Sequence, residues 1–267
     1  MTEFGICSDK GRLREGNEDS YGSLAAMNLF VLSDGMGGLE CGEVASRVAV
    51  DTILAHAREA GENPALPLKG PRIEGISDAA NRLASALRLA NDAVRVAAAE
   101  RAAENGMGAT VVAVQFDGSR VSIAHVGDSR AYRLRDDDFE QLTHDHSFIG
   151  EQVRLGHMTD AQASASAMKN ILLRALGVDA AVDVEVSDGQ ILEGDTFLLC
   201  SDGLTNELSE AQIAAVLSET EDPQEAAERL VNLANEAGGS DNITAMVLRP
   251  IPRPVGVLGK LGRWLKV

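Results

Sequence analysis

Cysteine is scarce in this 267-residue chain, and Cys7, Cys41 and Cys200 form an odd set with no close spacing. That speaks against a disulfide framework or a thiolate zinc site and for three small buried hydrophobes in a reducing cytoplasm. Basic residues are short as well: Lys plus Arg total 24 against 41 Asp plus Glu, for a formal net charge of -17. Such a field repels nucleic-acid phosphates and anionic membrane surfaces, so nucleic acid is not an expected partner. No stretch approaches the about 18 apolar residues of a membrane span, and the opening M-T-E-F-G-I-C-S-D-K lacks the basic start and long apolar core of a signal peptide. Internal repeats and low-complexity blocks are missing too. What remains is 45% hydrophobic, enough for a substantial core, at a size one layered domain commonly reaches.

Short β-branched or alternating runs predict strands over Asn28 to Ser33, Thr110 to Phe116, Val121 to Val126, Ala131 to Arg135, Val182 to Ser187, Thr196 to Ser201 and Ile243 to Leu248. Asp117-Gly118 between two of them reads as a hairpin turn. Most strands neighbour one another in sequence, which favours antiparallel sheets. Long helices are predicted at about Glu43 to Ala60 and Ser77 to Glu104, separated by a loop rich in proline and glycine. Further helical patterns fall near Phe148 to Leu155, Asp160 to Ala175, Glu210 to Leu217 and Gln224 to Ala237. Strands, then two long helices, then strands again imply helices packed outside sheets.

Two apolar runs end alike, N-L-F-V-L-S-D-G-M-G-G and T-F-L-L-C-S-D-G-L-T-N. A rigid strand fixes the residue at its end, so Asp34 and Asp202 can aim their oxygens at a defined point. The following glycines, Gly35 and Gly203, permit a sharp turn or leave room for a ligand or another carbonyl. Asp128 in H-V-G-D-S-R and Asp241 before the last strand occupy similar positions. A single aspartate of this kind reads as a turn or cap residue; four suggest a common site. Converging carboxylates cannot all stay ionised alone, so either some are protonated or cations lie among them. All-oxygen ligation points to Mg²⁺ or Mn²⁺ before zinc. In S-D-K-G-R-L-R-E-G-N-E-D-S, Arg14 offers a planar fork for phosphate and Glu18 another carboxylate, although the segment also reads as a charged surface loop.

Together with G-M-G-A-T, L-T-H-D-H-S, K-N-I-L-L-R-A-L-G and G-G-S-D-N-I-T-A-M-V-L, these segments resemble, in order and over roughly Phe4 to Leu248, the metal-dependent serine/threonine protein phosphatases (the type 2C or PPM family, bacterial branch). The resemblance implies an α+β fold, a four-layer α/β/β/α sandwich with two central antiparallel sheets flanked by helices. It implies two Mn²⁺ or Mg²⁺ ions per active site. Asp34 would bridge both, Asp202 and Asp241 would hold the first, Glu18 and the Gly35 carbonyl the second, and Asp128 with Asp202 a weaker third. Asp19 would orient a metal-bound water, and Arg14 would bind the phosphate of phosphoserine or phosphothreonine while a metal-bridging hydroxide attacks. Phosphorylated proteins and a cognate serine/threonine kinase are the implied partners. Met36 and Leu39 stand where relatives carry a histidine, which leaves the general acid unassigned, and Asn206 replaces an acid that some relatives place near the third metal. His144 and His146 read as structural hydrogen-bonding residues. The stretch from about Phe148 to Leu176 matches a flap that gates substrate approach, with K-N in place of R-N.

Residues 1–250 are read as the phosphatase domain and 251–267 as a Pro-containing spacer with a short basic amphipathic tail. Leu258, Leu261 and Leu265 recur there at helical spacing among Lys260, Arg263, Trp264 and Lys266. That tail reads either as packing on its own domain or as docking on a partner or membrane surface. A catalytically dead binding module is the competing reading from another class, opposed by the presence of every implied ligand. A regulator-type phosphatase acting through a separate sensor domain is opposed by the lack of any such domain before Phe4.

Overall fold

Strand alternation assigns each side chain to one of three apolar clusters. In β3 (Leu29–Met36), Leu29 and Val31 enter one cluster while Phe30 and Leu32 enter another. The same two-residue period divides β5 (Val111–Asp117), where Val111 and Ala113 part from Val112, Val114 and Phe116. In β10 (Thr196–Cys200), Leu198 and Cys200 part from Phe197 and Leu199. Such strands are buried on both faces. The computed structural model describes residues 2–37, 41–101, 106–159, 162, 166, 168 and 171–251.

Adding β1 (Thr2–Asp9), β2 (Asp19–Leu24), β4 (Gly108–Ala109), β6 (Arg120–Val126), β7 (Arg130–Arg135), β8 (Asp138–Gln141), β9 (Glu185–Gln190) and β11 (Ile243–Pro250) completes two sheets. One runs β1-β11-β10-β7-β8; the other runs β2-β3-β5-β6-β9, with β4 paired to β3. Every ladder between these strands is antiparallel. The sheets face each other across Phe30, Val112, Phe116, Phe197, Met246 and their neighbours. Helices α1 (Cys41–Glu62) and α2 (Asp78–Glu100) cover the outer face of the β3 sheet. Helices α5 (Glu210–Glu219) and α6 (Pro223–Ala237) cover the other, while α3 (Phe148–Arg154) and the single turn α4 (Asp202–Thr205) lie in connections. The layers are α/β/β/α, as expected.

Caps explain where the helices start. Ser77 accepts from Ala80 N–H at 3.1 Å ahead of α2, Ser209 and Gln212 form a reciprocal capping box on α5, and Asp222 caps α6 in front of Pro223. The Asp117-Gly118 hairpin forms as read, with Gly118 at φ 61°.

The differences from the sequence reading cluster at sheet edges. Strands β1, β2 and β8 went unread, and the strand expected over Val182 to Ser187 is shifted to Glu185–Gln190. All four lie at the ends of their sheets, where a strand has one partner and one solvated flank and needs no apolar alternation. Within the helical pattern of Asp160 to Ala175, residues 171–175 are not helical: Leu173 N–H donates to the His146 carbonyl at 2.7 Å and Leu172 bridges Ser147. The rest of that pattern, apart from 162, 166 and 168, lies outside the described residues, as do Leu39, Lys169, Asn170 and the tail from 252 onward. Among the described residues, no helix is long and apolar enough to cross a membrane.

Phe197 is fully buried between the sheets and meets Phe116 edge to face at 5.1 Å. Phe197→Ala is expected to lower the unfolding free energy by about 3–5 kcal/mol, read as a shift in the urea midpoint without a change in far-ultraviolet circular dichroism.

Candidate active site

One end of the inter-sheet layer is polar. Following the same faces outward, Phe30 and Leu32 lead to Asp34, Phe197 and Leu199 lead to Ser201, and Met246 leads to Thr244. Antiparallel register sets Asp19 of β2 directly across from Asp34 of β3, which puts both on one face. Asp202 follows β10, Asp128 follows β6, and Asp241 precedes β11. Distant stretches of chain thus deliver carboxylates to the same rim.

Their proximity is visible in their proton affinities. Loss of water and the negative charges of Asp19, Asp202, Asp128 and Asp241 hold the Asp34 carboxyl well above the usual carboxylate range. Burial, then the charges of Asp202 and Asp145, push Asp128 up to about 8. Burial likewise raises Asp19 to about 7, against the pull of hydroxyl hydrogen bonds, and raises Glu18 despite the opposing charge of Arg14. Like charges withdrawn from water have two remedies, a proton or a cation.

Asp19 is the most constrained of the group. Thr244 Oγ1 donates to its Oδ2 at 2.6 Å and Ser201 Oγ to the same oxygen at 2.8 Å, while Asn17 Nδ2 donates to Ser8 Oγ at 2.9 Å and Ser8 contacts Thr244 Oγ1 at 2.7 Å. Its other oxygen, Oδ1, is buried and meets no hydrogen-bond donor among the described residues. A buried carboxylate oxygen left over in this way is the acceptor that a cation's water shell would satisfy. With oxygen donors crowded around it, the rim fits hard divalent cations.

The glycines of the D-G pairs act by making room. A Cβ on Gly35 would lie 1.9 Å from the Gly42 carbonyl oxygen, and one on Gly203 would lie 2.0 Å from that of Asn242. Neither residue has positive φ, so of the two roles expected for them the structure uses close backbone approach. At Gly42, a Cβ would fall 2.6 Å from Glu18 Oε2, so the first turn of α1 is pressed against a candidate ligand.

The N-terminal loop is pinned from the far end of the chain. Asn242 Oδ1 accepts from Glu18 N–H at 2.8 Å, and its Nδ2 donates to the carbonyls of Lys10 and Gly16 at 2.9 and 2.8 Å. Ser46 of α1 donates to the Glu18 carbonyl at 2.6 Å. Arg14 reaches Asp241 Oδ2 through Nη2 at 2.7 Å with about half of its side chain exposed, which leaves guanidinium hydrogens facing outward. Asn206 donates to Asp202 Oδ2 at 3.0 Å. Asn242, Ser46, Ser201 and Thr244 escaped the sequence reading because their partners are far away in the chain; the register of Thr244 and Ser201 after apolar strand residues was the one available signal.

A second titratable group lies behind Asp128. His125, His146 and Glu185 bring ligand-capable atoms within 4.8 Å of one another. However, His146 Nδ1 accepts from Gly127 N–H at 3.1 Å, which places its proton on Nε2 toward Glu185, and His125 Nε2 bonds the His144 carbonyl at 2.9 Å. His146 thus props the loop that carries Asp128 through Gly127, and His125 backs it by stacking on its ring. For His146 this is the structural role expected of it, and His144 bonds Glu185 at 2.8 Å.

The profile of the protein phosphatase 2C family matches residues 12–236. Serine/threonine phosphatase stp of Listeria innocua is 39% identical over 244 residues, covering 90% of this chain and 93% of that protein. The crystal structure of the Mycobacterium tuberculosis serine/threonine phosphatase PstP/Ppp superposes with a TM-score of 0.80 at 34% identity, over 93% of this chain and 98% of that one. A crystal structure of the PstP catalytic domain in complex with two manganese ions aligns with a TM-score of 0.76 at 32% identity, covering 93% and 97% of the two chains. The chain belongs to the protein phosphatase 2C family. It is a metal-dependent serine/threonine phosphatase, and its substrates are phosphoproteins.

The raised carboxyls predict how the metal-free protein responds to pH. Asp19 and Asp128 bind protons up to about 7 and about 8 in the folded state, against 3.8 for the ordinary aspartate. The folded chain therefore holds more protons through that window, and the cluster removes stability as pH rises from about 4 to about 8. In chelator-treated protein the urea midpoint is expected to fall across this range, with Asp128→Asn flattening the fall and Mn²⁺ restoring the midpoint at pH 8; equal slopes in the variant and the parent would contradict this.

Proposed function

We propose that the carboxylate rim hydrolyses phosphoserine and phosphothreonine esters of proteins with two divalent cations, Mn²⁺ or Mg²⁺. Asp34 would be shared between them, Asp202 and Asp241 would hold one, and Glu18 with the Gly35 carbonyl would hold the other; Asp128 with Asp202 offers a weaker third position. When bound, the cations lower the pKa of an attacking water and offset phosphate charge. The observation that carries this reading is the crowding of Asp34 by Asp19, Asp202, Asp128 and Asp241, together with the unpartnered Oδ1 of Asp19.

The chain's own residues then divide the work. Asp19, immobilised through Oδ2 by Thr244 and Ser201, keeps Oδ1 available to accept a hydrogen bond from the attacking water and so orient it. Arg14, anchored at Asp241, presents its remaining guanidinium hydrogens to phosphate oxygens. Asn242 and Ser46 hold the Glu18 backbone in register with both. Cys200 is no candidate for a phosphoenzyme nucleophile, because it is fully buried with its thiol pushed up to about 12 by that burial. Met36 carries a thioether and cannot donate a proton to the leaving group. Residues 1–250 form the catalytic unit in this reading, and the enzyme works in the cytoplasm against a cognate serine/threonine kinase.

Asp34→Asn tests the assignment. With a phosphothreonine peptide and Mn²⁺ titrated over several decades, turnover is expected to drop by at least about 100-fold with the circular dichroism spectrum unchanged; parental activity in the variant would refute the role of the rim.

A further inference from the structure

A second cavity lies away from the carboxylate rim, between the C-terminal half of α1, the first turns of α2 and strands β3 and β5. Its volume is about 270 Å³, just below the roughly 300–1,000 Å³ typical of small-molecule sites. Its walls are largely apolar, formed by Met27, Leu29, Ile53, Ala57, Leu83 and Ala86. The space exists because the two helices meet here through alanines, with Ala60, Gly61 and Ala79 also on the lining. Gly61 and Gly42 sit near opposite ends of α1, roughly 28 Å apart at the helical rise of 1.5 Å per residue. The cavity is therefore well separated from Glu18, which Gly42 abuts.

One lining residue has unmet bonding capacity. Arg82 donates from Nη2 to the Pro64 carbonyl, but its Nη1 is buried and meets no hydrogen-bond acceptor among the described residues. The acid one turn earlier on α2, Asp78, is engaged by Arg72. Leaving a guanidinium nitrogen buried and unbonded is costly unless something else supplies an acceptor. Among the described residues, two further lining groups, His56 and Gln115, make long side-chain contacts, 3.4 Å to Ser85 Oγ and 3.4 Å to the Met27 carbonyl.

An inorganic anion would satisfy the guanidinium but leave the apolar walls dry and empty, whereas a neutral hydrocarbon would leave Nη1 unbonded. A molecule with a planar anionic head and an apolar body answers both, and a carboxylate matches the guanidinium fork best. We propose that this cavity binds a small amphipathic carboxylate of the medium-chain fatty-acid type, with its head on Arg82 and its chain against Leu29, Ile53 and Leu83. The site is independent of the phosphatase reading, since none of its residues belongs to the carboxylate rim.

Calorimetric titration of the full chain with sodium octanoate, and in parallel with octanol, tests this. Octanoate is expected to bind saturably with one site per chain and more tightly than octanol. Arg82→Gln should weaken octanoate at least about tenfold while leaving octanol unchanged, and Ala57→Phe, which fills the space, should abolish both. Phosphopeptide turnover at parental level in each variant verifies that the fold is intact. Octanoate binding that is non-saturable, insensitive to Arg82→Gln or retained in Ala57→Phe would overturn the proposal.

Discussion

Mutual repulsion among carboxylates withdrawn from water is the constraint on which this molecule turns. A β-sandwich closes its apolar layer by burying both inner faces, and here the layer ends in Asp19 and Asp34 where another pair of hydrophobic residues would have cost nothing. Asp202, Asp128 and Asp241 add their charges to the same place. The arrangement is locally unfavourable, and it persists because the sheets on either side are held by large, dry clusters that do not depend on the rim. A site of this kind gains its missing stabilisation from divalent cations, so stability and metal binding are linked by construction.

Rigidity around the rim comes from backbone contacts more than from side-chain packing. Gly35 against Gly42, and Gly203 against Asn242, bring main chains closer than any other residue would allow. Asn242 then ties the N-terminal loop to the start of β11 through bonds to residues 10, 16 and 18. Such bonds fix Glu18 relative to Asp241 without adding charge, which a site already crowded with anions could not tolerate. The histidine props behind Gly127 serve Asp128 in the same neutral way.

Legibility in the sequence followed burial. Strands β3, β5, β6, β10 and β11 were readable because both faces are covered and the apolar runs are nearly continuous. Strands β1, β2, β8 and β9 were missed or misplaced because edge strands satisfy themselves with one neighbour and with water. Asp34 and Asp202 stood out through the repeated S-D-G after an apolar run. Glu18 and Asp19 looked like a charged surface loop, and their importance rested on likeness to the phosphatase family. The apolar cavity beside Arg82 left no trace in the sequence, since alanines on two helices look the same whether they pack tightly or leave a gap.

By itself the sequence determined the layers and the chemistry on offer: period-2 apolar runs commit strands to two faces, helix patterns commit α1 and α2 to the outside, and aspartates placed after strands supply hard oxygen donors. Tertiary structure alone decided which of those donors meet and how they are held, that Asp19 ends with one satisfied and one orphaned oxygen, and that Asn242 reaches back across more than two hundred residues to Glu18. The physical reason is range. Propensity and periodicity act over a few residues, whereas hydrogen bonds and charge coupling act over a few ångströms between segments that only the folded sandwich brings together.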